Sequence, residues 1–445
     1  MEDHMKLEVI GREVIKPASR STQNHCLDLS LMDFYSPASY LSTIFFYKDL
    51  AGGSSEMVSR RLKISLSKTL TRFYPLAGRI EDVSLNCNDE GAVFTEARTD
   101  LLLSDFLKNN QLLLDSLGEF LPLTAPEESA GSWPLLSVKV SFFGSGSGVA
   151  VTLAISHKIC DASSMLTFAQ DWAATTAKGG PVAVVTAPQF AETTIYPSPH
   201  RMQPPPMEDA APLFEPSVKW VINRFIFKSS KISDLKRKAA SESVPVPTRV
   251  EAISSLIWRC ARNAARSNSA APKSTLMSQA MDMRLRVPSN VLSPFAVGNL
   301  QSFFYLKKSA ESEMETGAIV TELRKAKDGL NEIIKESLET STLAINLLSV
   351  LGNLTAELNS GVDFYAMTSW CKKPFYEVDF GWGTPVWIGN SSLSIPGNVA
   401  CGILMDSKDG EDVEAWVVLP KQDMAVFIRD QDLLTYGVLN PPVLI

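Results

Sequence analysis

The sequence predicts an α/β protein of two domains joined by a long crossover, and three observations carry that expectation. The chain of 445 residues exceeds what one hydrophobic core usually serves, and 45% hydrophobic with 20% charged residues is the profile of an ordinary globular protein. Strand-like apolar runs and helix-period segments alternate in both halves. Between the halves, nine prolines fall between positions 179 and 216, including Pro204-Pro205-Pro206, which interrupts regular structure and reads as an extended connection. The domains are expected at residues 1–178 and 218–445, with the crossover at 179–217.

The elements follow in order. Residues 65–73 read as a helix, stopped by Tyr74-Pro75. Residues 136–143 alternate and read as a strand. Gly144-Ser145-Gly146-Ser147-Gly148 matches the spacing of neither the dinucleotide fingerprint nor the P-loop, so it reads as a hairpin turn. The apolar, β-branched run 149–156 reads as a buried strand that ends at His157, and residues 162–177 read as a helix. In the second half an apolar segment at 218–227 precedes a charged helix at 230–241 and a helix at 249–265. Ile319, Leu323, Ala326, Leu330, Ile333 and Leu338 recur at three- to five-residue steps and mark an amphipathic helix, with Lys325, Lys327 and Lys335 expected on its solvated face.

Composition excludes several functions. A net charge of −7 argues against nucleic-acid binding, which needs a basic face. No apolar run approaches the roughly 18 residues of a membrane span, and no apolar leader is read at the N-terminus. Six cysteines lie far apart without a C-x-x-C pair, as expected of reduced thiols in the cytoplasm; no metal site is expected.

His157 is one of only four histidines. At the end of a core strand, on a turn into a helix, its imidazole would be partly desolvated, with a pKa set near neutral, as a general base requires. Asp161, four residues on, is close enough to shape the turn. A lone histidine after an apolar run is more often a satisfied core residue, so the reading needs a partner. Thr368 and Trp370 supply one: two residues apart on a strand, their O–H and N–H point the same way and could converge on one oxygen, as an oxyanion requires. Asp379-Phe380-Gly381-Trp382-Gly383 is the other dense signal. The plainer alternative is that Trp370 and Trp382 simply pack a core.

Together these motifs resemble the plant BAHD acyltransferases, acyl-CoA-dependent enzymes of specialised metabolism. His157-Lys158-Ile159-Cys160-Asp161 and Asp379-Phe380-Gly381-Trp382-Gly383 occur in order. Further matches, among them Tyr74-Pro75-Leu76-Ala77-Gly78-Arg79, Thr248-Arg249-Val250-Glu251 and Gly298-Asn299-Leu300, run along nearly the whole chain. Thr368-Ser369-Trp370-Cys371 is similar to the subgroup containing vinorine synthase. Ala162 stands where many members carry glycine, a small change that slightly favours the helix.

The resemblance implies two chloramphenicol-acetyltransferase-like domains with a channel between them, and a segment at about 380–404 returning to the first domain. It implies a monomeric, cytoplasmic enzyme using acyl-CoA, with acetyl-CoA expected, as co-substrate rather than as a tightly bound cofactor, and a small-molecule acceptor. His157 would be the base, with Trp370 and Thr368 holding the oxyanion. Asp161 would pair with Arg284, and Asp379, Gly381, Trp382 and Gly383 would be structural. Thr248 and Arg249 would meet the CoA phosphates. Another acyl donor, an amine acceptor or a non-catalytic binder on this fold are the alternatives; intact His157, Thr368 and Trp370 favour catalysis. A hydrolase built on Ser156 fails, because adjacent strand residues face opposite ways.

Overall fold

A computed structural model describes residues 5–19, 26–48, 53–122, 133–178, 188–190, 195–202, 218–340, 342–390 and 399–445. Two large mixed sheets frame the molecule. The first has the strand order Glu8–Ile15, Ala92–Arg98, Leu136–Phe142, Val149–Ser156, Tyr40–Tyr47, Trp387–Asn390, and only Ala92–Arg98 with Leu136–Phe142 is a parallel pair. The second runs Gln301–Lys308, Thr275–Asp282, Asp363–Ser369, Ala400–Asp406, Val413–Pro420, Trp220–Phe227, Gly437–Leu439. There Asp363–Ser369 is parallel to both neighbours.

The strand before His157 is buried along all eight residues, Val149–Ser156, as an uninterrupted apolar run demands. The alternating strand Leu136–Phe142 is also buried throughout, so its alternation does not divide core from solvent. Ser137, Lys139 and Ser141 share one face, where the Lys139 ammonium donates to the Glu119 carbonyl. The turn between these two strands needs Gly146 at φ +66°.

Helix Ser55–Arg72 begins ten residues before the expected start, capped by Ser54, whose hydroxyl accepts from Met57 N–H at 3.3 Å. Val58, Leu62, Leu66 and Leu70, four residues apart, are almost wholly buried. This helix packs beside Ala162–Lys178; the Trp172 indole donates to Leu62 O at 3.2 Å and to Ser65 Oγ at 3.0 Å.

Three expectations need correction or restriction. Among the described residues of the segment expected to return over about 380–404, Trp387–Asn390 pairs with the first sheet and Val386 N–H donates to Phe46 O at 2.7 Å, while Ala400–Asp406 lies in the second sheet between Asp363–Ser369 and Val413–Pro420. Lys327 is not simply solvated; it pairs with Glu251 at 3.0 Å. Most of the proline-rich crossover lies outside the described residues, although Gln189–Phe190 pairs with Ala296–Val297. The halves also share interior: Trp370, Phe375, Val378, Phe380, Trp382 and Trp387 belong to the hydrophobic core of the first sheet.

Candidate active site

His157 follows directly on strand Val149–Ser156, and its backbone N–H donates to Ser39 O at 2.8 Å. The Asn299 amide donates to the His157 carbonyl at 2.6 Å and to the Asp33 carboxylate at 2.8 Å. Asp33, fully buried, also accepts from Ser30 N–H at 3.0 Å and Ser30 O–H at 2.7 Å. Burial pushes the Asp33 carboxyl up to about 6 against those hydrogen bonds. His157 itself is half-buried. Its Nδ1 is sealed and takes no hydrogen bond among the described residues, which leaves Nε2 as the nitrogen able to meet a substrate. Desolvation lowers the imidazole pKa, opposed by nearby acceptors and the Asp161 charge, a shift that favours the neutral ring.

The Asp161 carboxylate points into the domain seam. It takes Arg284 in a fork, at 2.8 and 3.1 Å, plus Leu300 N–H at 3.0 Å and Ser164 N–H at 2.8 Å. The last bond caps helix Ala162–Lys178. Arg284 also donates to Asp282 at 3.1 Å, to Ala296 O at 2.8 Å, to Ser164 Oγ at 2.9 Å and to Gly298 O at 3.2 Å. Burial works against its charge, and Asp161 and Asp282 outweigh it, raising the guanidinium pKa. Asp161 thus ties the His157 turn to the second half of the chain. Cys160 is fully buried; desolvation, then the Asp161 charge, holds its thiol well above the usual range.

Thr368 lies near the end of strand Asp363–Ser369, and Trp370 immediately after it extends the ladder by donating its backbone N–H to Leu404 O at 2.7 Å. The Trp370 ring stacks on Phe375 with centroids 5.1 Å apart. Trp370 is 3% exposed and Thr368 is half-buried. Both residues line a cavity of about 40 Å³ at the seam, together with Asp161, Ser163, Asp282 and Lys373. The structure therefore brings Thr368, Trp370 and the turn that follows His157 around one space. His157 itself does not line that cavity.

The Asp379 motif lies elsewhere. Asp379 Oδ1 accepts Gly381 N–H at 2.7 Å and Gly383 N–H at 2.9 Å, and both glycines stand at positive φ, +98° and +99°. A Cβ on Gly381 would fall 2.9 Å from the Ala177 Cα. Phe380 meets Trp172 edge-on at 4.9 Å, and Trp382 stacks on Phe380 at 5.5 Å. The motif thus grips the C-terminal end of the helix whose N-terminal end carries Asp161, about 25 Å away at 1.5 Å per residue.

Thr248 and Arg249 are both engaged within the protein. The Thr248 hydroxyl caps helix Arg249–Ser267, accepting Glu251 N–H at 3.2 Å. Arg249 pairs with Asp406 at 2.7 Å and donates to Gly410 O at 2.9 Å. The other Asp406 oxygen takes Lys372 N–H at 2.7 Å, so this corner adjoins the turn after Trp370. Sequence reasoning assigned no role to Asn299 or Asp33. The only signal was Asn299 within Gly298-Asn299-Leu300, and nothing local linked it to His157.

The Transferase family model matches residues 5–434. A BAHD acyltransferase, BIA1 of Arabidopsis thaliana, is 59% identical over 98% of this chain and 99% of its own length. A limonoid 7-O-acetyltransferase of Citrus sinensis is 30% identical over 98% of this chain and 99% of its own. The crystal structure of vinorine synthase superposes with a TM-score of 0.75 at 29% identity, covering 97% of this chain and 98% of that one. Agreement of this extent, end to end in sequence and in fold, means that the chain belongs to the BAHD family and is an acyltransferase.

Proposed function

We propose that the protein transfers an acyl group, acetyl in the first instance, from acyl-CoA to a hydroxyl of a plant specialised metabolite such as an alkaloid, a terpenoid or a sugar ester. The observation that carries this reading is the placement of His157: an imidazole on a turn fixed by Ser39, Asn299 and Asp161, near a cavity lined by Asp161, Thr368 and Trp370. His157 Nε2 takes the acceptor's hydroxyl proton as the oxygen attacks the thioester carbonyl. Trp370 N–H and Thr368 O–H carry the oxyanion. The C–S bond then breaks, and the CoA thiolate leaves with the proton returned by the imidazolium.

Asp161 has no part in proton transfer in this scheme, since its lone pairs serve Arg284 and two backbone N–H groups. We assign the CoA phosphates to the Thr248–Arg249 corner, because Arg249 is partly exposed there and adjoins the Trp370 turn through Asp406. The Citrus relative, an O-acetyltransferase by name, supports the acetyl donor and the hydroxyl acceptor. The test is a panel of hydroxylated alkaloids, terpenoids and sugar esters with acetyl-CoA and purified protein, read by thiol release and product mass. Acceptor-dependent thiol release is expected. Release that persists unchanged in His157→Ala removes His157 from the mechanism.

A further inference from the structure

Asn299 is 1% exposed, and its backbone is clamped on both sides. Gly298 N–H donates to Ser164 Oγ at 3.0 Å, and Leu300 N–H donates to Asp161 at 3.0 Å. Gly298 stands at φ +146°, in the region that favours glycine. The segment thus sets one side chain against the His157 turn. Its Nδ2 spends both protons, on His157 O at 2.6 Å and on Asp33 Oδ1 at 2.8 Å.

Those two bonds fix which way round the carboxamide sits. Turned over, it would set Oδ1 against a carbonyl and a carboxylate, two acceptors with nothing to donate. Asp33 is held in its turn: its other oxygen takes Ser30 N–H and O–H. Lys158 Nζ donates to Phe34 O at 2.7 Å, which ties the short helix Leu31–Tyr35 to the residue after His157.

Asn299 Oδ1 is left over. It is buried without a hydrogen-bond partner among the described residues, and so is His157 Nδ1. Buried polar atoms in a native interior are nearly always paired, and here one orphan can donate and the other can accept. The pKa causes at His157 place the two together. Burial, the largest, lowers it; the residue's own carbonyl, the Asp161 charge and then the Asn299 side chain raise it. A carboxamide favours a charged imidazole only through its oxygen, so Oδ1 is the end that faces the ring.

We propose that Asn299 is the positioning residue of the catalytic histidine: its Oδ1 accepts His157 Nδ1–H, so that the lone pair stays on Nε2 for the acceptor hydroxyl, and Asp33 holds the carboxamide in that orientation. This rests on His157 as the base. When Nε2 takes the hydroxyl proton, the imidazolium keeps its other N–H on the Oδ1 dipole. When that proton passes to the CoA thiolate, the ring returns to the same tautomer. A neutral carboxamide does this without the rise in pKa that a carboxylate partner would bring. Asn299 acts through His157 alone, because its burial keeps it from substrate.

The test is ¹⁵N NMR of the whole protein labelled in histidine, recorded where the imidazole is neutral. There are only four histidines, and the His157 ring is identified by its loss in His157→Ala. The wild type should carry the ring proton on Nδ1. Asn299→Leu keeps the branched shape and removes both ends of the amide. It should move the proton toward Nε2 and lower kcat roughly 10²-fold, the loss that a misplaced catalytic group brings, with the KM of both substrates unchanged. Asp33→Asn, for use if Asn299→Leu fails to fold, replaces one acceptor oxygen by a donor and should act in the same direction with a smaller loss of kcat. A proton that stays on Nδ1 in both variants would make Asn299 a brace for the His157 carbonyl only, and a wild-type ring protonated on Nε2 would leave Oδ1 nothing to accept; either overturns the proposal. Thiol release that persists in His157→Ala sinks the base reading and this one with it, and the ring tautomer, read without substrate, shows which of the two was at fault.

Discussion

Replacing Asp161 by alanine separates a structural carboxylate from a catalytic one. Four hydrogen bonds end on this side chain, two of them charge-assisted from a guanidinium only 4% exposed. Deleting one partner of a buried pair usually costs about 3–5 kcal/mol. Loss of the helix cap adds about 1 kcal/mol. Asp282 remains beside Arg284 at 3.1 Å and offsets part of the loss, so the lower half of that range, about 3–4 kcal/mol, is expected. An unfolding entropy near 2.1 cal/mol/K per residue over a chain of this length converts that into a Tm drop of roughly 3–4 °C if the chain melts as one unit. Thermal unfolding by circular dichroism and turnover should be measured on the same preparations, with Arg284→Ala alongside. Both variants should lose stability together, and activity should fall because the His157 turn loosens. A variant as stable as the wild type yet inactive would refute this reasoning and make Asp161 a direct participant in proton transfer.

His157→Ala should lower kcat by roughly 10²–10⁴-fold with coenzyme A affinity retained in calorimetry. Because burial lowers the His157 pKa, the base form persists to lower pH; the acid limb of kcat/KM should lie below the ordinary imidazole value of 6.5, and a limb centred above 7 would contradict it. Trp370→Phe keeps the stack on Phe375 and deletes the N–H, so kcat should fall by up to roughly 10²–10³-fold, with Thr368→Val lowering it through the same oxygen. If both changes alter only the acceptor's KM, the two residues line an acceptor pocket instead. Intact-mass measurement after incubation with acetyl-CoA alone should find no adduct, since the Cys160 thiol is buried and held protonated; a stoichiometric acetyl group at Cys160 that acceptor removes would replace direct transfer by a two-step route.

Local pattern made much of the frame legible. The apolar run before His157 gave its strand, while most of the proline-rich crossover lies outside the described residues. The two sheets were not countable from sequence, because a four-residue strand such as Trp387–Asn390 is too short to show a period and only the folded chain sets it beside Tyr40–Tyr47. The site was legible in its chemistry and not in its assembly. Thr368 and Trp370 could be paired because two residues separate them on a strand. Asn299 and Asp33 could not, because they meet across 266 positions and only the folded chain sets them beside His157. Asp161–Arg284 came from family resemblance alone, across 123 positions. Thr248-Arg249-Val250-Glu251 is the reverse case. A threonine followed three residues later by glutamate is a helix-capping pattern in its own right, and the Thr248 hydroxyl serves that cap.

The return of residues 387–390 to the first sheet bears on how the chain comes to be folded as it is made. Until that strand has emerged from the ribosome, Tyr40–Tyr47 is an open sheet edge carrying Phe45, Phe46 and Tyr47, and the layer built from Trp370, Phe375, Phe380 and Trp382 is missing. The first half therefore cannot close its own interior during synthesis. An unpaired aromatic edge waits through more than three hundred residues of translation, an interval in which nascent chains are open to wrong pairings and to chaperone capture. The His157 turn is likewise completed late, because Asn299 and Arg284, which tie it and Asp161 down, lie more than a hundred residues downstream.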